Sequence, residues 1–145
     1  MKKNIVILLI FAIVIFIIIG YNYYEYKASI EKVAKYNKEY EQYLEGQIYG
    51  ADIATIINKA INQNEKNGLE KDEQNYFIEN NENSIKIDIH ILENDTIYNM
   101  ERINKKPIED FVKNFNTIKF KCTKKEYHES TKKIKYIFFE QIIEE

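Results

Sequence analysis

The chain has 145 residues, a formal net charge of -2 and a single cysteine. That length supplies one compact domain of ordinary size, the charge excludes a polybasic nucleic-acid binder, and a lone thiol excludes an internal disulfide framework. Ile, Lys, Glu, Asn and Tyr dominate, whereas Gly (4) and Pro (1) are scarce; this is the bias of A/T-rich codons, so abundant Asn and Tyr are background rather than function.

The first element is apolar without interruption from Ile5 to Ile19, with Lys2 and Lys3 just before it. At ~1.5 Å per residue the run spans roughly 22 Å, short of a ~30 Å hydrocarbon core, and Gly20, Tyr21, Tyr23 and Tyr24 extend it through the interface. A cleavable leader needs two small residues before the cut, but Gly20, Ala28 and Ser29 are preceded two positions earlier by Ile18, Tyr26 and Lys27. The expectation is an uncleaved, single-pass signal anchor in the cell membrane, contacting the bilayer through Ile5 to Ile19. Lys2 and Lys3 predict a cytoplasmic N-terminus and an extracytoplasmic remainder, because long downstream segments translocate largely regardless of charge.

Residues 21–45 contain neither Gly nor Pro, so a continuous helix is predicted from about Asn4 to Leu44. Tyr23, Tyr26, Ile30, Val33, Asn37, Tyr40 and Leu44 alternate three and four apart, an a/d stripe. The stripe can bury itself against the downstream domain or against a second copy or protein partner. The predicted organisation is 1–45, anchor and amphipathic stalk, and 46–145, an extracytoplasmic α+β domain.

In that domain Asp52 is expected to cap a helix with Ile53, Ile56, Ile57, Ala60 and Ile61 on one face, stopped at Asn67-Gly68. Leu69 to Asn75 reads as loop and Tyr76 to Glu79 as a short strand. After the turn Asn80 to Asn83, Ile85, Ile87, Ile89 and Ile91 alternate with Lys86, Asp88, His90 and Leu92, the clearest strand. Asn94-Asp95 turns into a strand from Thr96 to Ile103. Pro107 opens a short helix whose apolar face is Ile108, Phe111, Val112 and Phe115. Strands over Thr117 to Tyr127 and Lys133 to Ile143 flank the turn His128 to Lys132, and Ile137, Phe138 and Phe139 suggest a strand covered on both faces. The fold class is α+β: a long N-terminal helix, then an antiparallel sheet of four to five strands packed with one or two helices.

The chemical inventory predicts no catalytic, cofactor-binding or metal-ligating residue and no cofactor. Cys122, in phase with Phe120, reads as a buried apolar thiol. His90 reads as a surface histidine unless Asp88 or a neighbouring strand converges on it, and His128, beside Glu126 and Glu129, as a solvated hairpin end. Asp52 and Asp110 are explained by helix N-termini, and Asn94-Asp95-Thr96 matches a glycosylation acceptor that chance readily supplies in an Asn-rich chain.

A short basic N-terminus, one apolar helix with an amphipathic second half, and then a sheet domain resembles the layout of type IV pilins and pseudopilins. Met1-Lys2-Lys3-Asn4 lacks the Gly of their processing site, and the apolar run lacks their acidic residue. Tyr49 to Ala60 and Phe120-Lys121-Cys122-Thr123 are similar to small single-pass membrane-anchored proteins of low-GC Gram-positive bacteria, a resemblance that implies no activity. The expected function is a non-enzymatic, membrane-anchored domain that binds or assembles with another envelope protein. The alternatives are a pilin-like assembly subunit and a membrane-tethered enzyme using His90 or His128.

Overall fold

The computed structural model describes residues 2–105 and 108–143. It divides the chain into two units, Met1–Lys35 and Tyr36–Glu145. The first unit is helical: α1 spans Lys2–Glu41, with its last turns in the second unit. The helix is long and apolar enough to cross a membrane, and none of its apolar stretch is buried in protein.

The second unit runs β1 (Gln47–Tyr49), α2 (Gly50–Lys66), β2 (Lys86–Ile91), β3 (Thr96–Asn99), α3 (Met100–Lys105), α4 (Ile108–Phe115), β4 (Lys119–Tyr127) and β5 (Ile134–Gln141). The α+β class is as the residue pattern predicts. The five strands lie in the order β1-β4-β5-β2-β3. An all-antiparallel sheet was the expectation, but β2 and β5 run parallel, with Ile87 beside Ile137 and Ile89 beside Phe139. The β4–β5 hairpin brings β5 against β2 rather than to an outer edge, and this aligns the two most apolar strand faces.

Alternation does the rest. Ile87, Ile89 and Ile91 of β2, Ile137 and Phe139 of β5 and Phe120 of β4 point to one side of the sheet and are buried against the helices. From α2 come Ile53, Ala54, Ile56, Ile57, Ala60 and Ile61, and from α4 Phe111, with Ile108, Val112 and Phe115 packed around it. Asn64, in line with this face, is fully buried and closes two hydrogen bonds on the Ile85 backbone, its Nδ2 to the carbonyl at 2.8 Å and its Oδ1 from the N–H at 2.9 Å.

Several boundaries differ from the sequence reading. Tyr49, not Asp52, is the N-cap of α2; Asp52 sits three residues in and accepts the Tyr49 N–H at 3.0 Å. Gly50 is required there, because a Cβ on it would lie 2.0 Å from the Phe115 carbonyl oxygen. The strand from Thr96 stops at Asn99, whose Oδ1 accepts the Arg102 N–H at 2.9 Å and starts α3 in its place. Tyr76 to Glu79 forms no strand beyond a single bridge between Lys71 and Phe77. Pro107 lies outside the described residues. Phe138 is only half-buried, so β5 is covered on one face rather than two.

Candidate functional site

The helices pack on one side of the sheet, so the other side carries the side chains that face away from the core. Register places them in rows across the strands. Lys121 of β4 lies beside Glu140 of β5, which lies beside His90 of β2, which lies beside Ile97 of β3. The next row runs Lys124, Phe138, Asp88 and Asn99.

His90 is the centre of the first row. Its Nε2 lies 2.8 Å from Asp95 Oδ1 and its Nδ1 lies 3.6 Å from Glu140 Oε2, while Lys121 Nζ lies 3.9 Å from Glu140 Oε1. Asp95 reaches it because the turn after β2 holds that residue at φ 47, a left-handed conformation that Asp tolerates better than most residues. The partners are therefore Asp95 and Glu140, not Asp88. Only the parallel β2–β5 pairing brings Glu140 to His90, and no spacing within the β2 segment signals it.

This geometry limits the chemistry. The two carboxylates address opposite nitrogens of one ring, so they do not converge on a point where a cation could sit. With Nε2 hydrogen-bonded to Asp95 and Nδ1 facing Glu140 at 3.6 Å, the imidazole lies between the β2–β3 turn and β5. Among the described residues no group of three or more His, Cys, Asp or Glu is placed to hold a metal.

Beside it, the Tyr136 hydroxyl donates to Asp88 Oδ2 at 3.0 Å, and the Tyr136 and Phe138 rings stack at 6.5 Å. Burial pushes the Asp88 carboxyl above the ordinary range, opposed by the Tyr136 hydrogen bond and the Lys86 charge. Tyr136 is also raised, by burial and then by the Asp88 charge. Glu101, buried nearby on α3, is raised by burial too, although the backbone N–H of Phe77 donates to it.

The other histidine departs furthest from its sequence reading. His128 is 2% exposed, and its Nε2 donates to the Ser84 carbonyl at 2.7 Å. Ser130 Oγ and Thr131 Oγ1 reach the Asn81 and Glu82 carbonyls at 3.0 and 2.7 Å. Asn37, near the end of α1, donates to the Lys132 carbonyl and accepts the Ile134 N–H, each at 2.9 Å. The turn between β4 and β5 is thus a clamp that holds two distant segments, the Asn81–Ser84 turn and the end of α1, not a solvated hairpin end. Turn-forming residue types are legible in sequence, but nothing there says what lies against the turn. Cys122 is half-buried rather than buried, with its Sγ 3.4 Å from the Lys124 carbonyl and its thiol raised by burial.

The heptad stripe is also divided. Tyr40 is 1% exposed in the core of the second unit, with Leu44 packed against that core. Tyr23, Tyr26 and Ile30, in the first unit, are exposed at 67%, 66% and 49%. Tyr36, off the stripe, contacts Tyr40 ring to ring at 5.4 Å, and burial lifts its hydroxyl to about 12.

Two surface depressions lie near these features. One, of about 200 Å³, lies between α3 and α4 and is lined by Tyr98, Ile103, Phe111 and Phe115 with Arg102 and Asp110 at its rim. The other, of about 490 Å³, is polar and borders the clamp at Tyr127, His128 and Lys135. No protein-family model, curated protein or solved structure matches this chain.

Proposed function

We propose that the chain is a non-enzymatic, membrane-tethered binding domain that holds residues 36–145 outside the cytoplasm, where they meet another envelope protein. The observation that carries this reading is the contrast in burial. Every large apolar side chain from Ile5 to Ile19 is exposed, whereas most isoleucines of the second unit are buried in its core. An exposed apolar stretch of this size has a lipid environment as its natural solvent. Lys2 and Lys3 at its start favour a cytoplasmic N-terminus. A sheet face of paired charges and half-buried aromatics suits recognition, and its histidine lies between two carboxylates.

The test is protease shaving of intact cells together with photocrosslinking from position Ile97, which is exposed on that face. Loss of residues 36–145 to external protease and recovery of a discrete crosslinked species support the reading. A fully protected domain, or only uncrosslinked monomer, overturns it. The pilin-like alternative draws on Tyr40, which carries the end of the anchor helix into the domain core; an intact Met1 or Lys2 in the mature chain removes that alternative.

A further inference from the structure

Among the described residues the outer strands β1 and β3 each pair on one side only, and β1 is too short to cover the whole of β4. β1 is three residues long and pairs β4 only from Lys119 to Lys121. The remaining part of β4, Cys122–Tyr127, has a strand neighbour on the β5 side alone among the described residues. Thr123, Lys124, Lys125 and Tyr127 along it are exposed. A strand with one side unpaired presents N–H and C=O groups that another extended chain can complete.

The side chains select what can dock. β4 reads KFKCTKKEY, four lysines and one glutamate, in a chain whose net charge is -2. Pairing with a second β4 across a two-fold would set Lys124 and Lys125 against the same pair of lysines, which disfavours a symmetric dimer through this edge. The bulge between Cys122 and Lys124 also prevents a flat, unselective edge. An extended segment bearing acidic side chains meets neither obstacle, because its charges complement the strip as its backbone completes the ladder.

We propose that Cys122–Tyr127 of β4 docks an extended acidic segment of a partner protein, added as a further strand beside β4. This rests on the reading of the second unit as a binding domain and names its docking edge and the chemistry of its partner. Lys124 already lies 2.7 Å from Glu126, so an incoming carboxylate shares that lysine with it. Among the described residues no carboxylate lies within ion-pair distance of the exposed Lys125, which offers the stronger contact.

The experiment uses the full chain in detergent micelles and fluorescent peptides of about eight residues, a length typical of strands. Three probes are compared: an alternating Glu-Val peptide, its Lys-Val counterpart, and the Glu-Val peptide N-methylated on alternate residues so that one edge cannot donate. The expected result is saturable binding of the Glu-Val peptide, with about tenfold or greater weakening for either other probe and for Lys125→Glu. Equal binding of the N-methylated peptide overturns strand addition and leaves only charge attraction. No saturable binding of the Glu-Val peptide, or capture of anionic vesicles in its place, overturns the proposal and identifies the lysines as edge protection or a lipid contact. Crosslinking from Ile97 in cells succeeds or fails independently of these outcomes, so the docking edge and the broader reading are judged separately.

Discussion

Ile5 to Ile19 and the strand Lys86–Ile91 are built largely from the same residue, yet every large apolar side chain described in the first is exposed and every isoleucine in the second is buried. Isoleucine content therefore decides nothing. Arrangement decides it: a contiguous apolar run makes a helix apolar all round and long enough to cross a membrane, whereas strict alternation offers one face to a core and the other to charge.

The contrast can be broken most forcefully in the apolar helix, which the proposed reading places in the membrane. Ile10→Asp with Ile13→Asp should cost about 3 kcal/mol of insertion at each site and release the chain from the membrane fraction on alkaline extraction. The same run should be silent in domain stability. Ile17→Ala should leave the thermal midpoint of the second unit unchanged, while Ile87→Ala, which empties a fully buried site, should cost about 2–5 kcal/mol in denaturant unfolding.

A loss of comparable size should follow Asn64→Ala. It strips both hydrogen bonds from the buried Ile85 backbone, at about 1–3 kcal/mol for each orphaned group, and amide exchange at Ile85 should rise sharply. The smallest effect is on the charged face. Because burial raises the Asp88 carboxyl in the folded state, that group favours folding when protonated. Its contribution is present below the ordinary Asp value and lost as pH rises through the raised one. Asp88→Asn, which can still accept the Tyr136 hydrogen bond, should flatten the decline in stability as pH rises above the ordinary Asp value of about 3.9; an unchanged slope in denaturation there would refute this.

Much of the architecture is legible before any coordinates. The Ile85 to Ile91 alternation and the Ile53 to Ile61 series each report a local period, and both elements stand where the pattern puts them. The α3 helix was missed because Thr96 to Ile103 is apolar enough for a strand; the signal that ends it is Asn99 as a cap, a turn-forming residue at a position that alternation does not mark. Likewise Asp52 carries the type of residue that begins a helix, but one turn later than its N-cap.

The candidate site was less legible than the fold. His90 could be placed on a polar strand face, but its partner Glu140 lies fifty residues away in sequence and arrives only through the β2–β5 pairing. His128 sits in a polar turn and is nevertheless buried, because Ser84 and its neighbours cover it. Tyr23 and Tyr40 share one helical stripe and have opposite burial, since periodicity says which residues share a face and not how far a partner surface extends along it.

The sequence by itself therefore determined the long apolar N-terminal helix, the period of α2, and the division of β2 into a core face and a polar face. These depend on residues close in the chain, whose geometry the backbone dictates. The tertiary structure alone decided that β5 runs parallel to β2, that His90 lies between Asp95 and Glu140, that the β4–β5 turn is a buried clamp, and that β1 stops short and leaves the rest of β4 bare. Strand alternation prescribes a face, not a neighbour; the neighbour is chosen by which distant surfaces bury best together once the loops between them have closed.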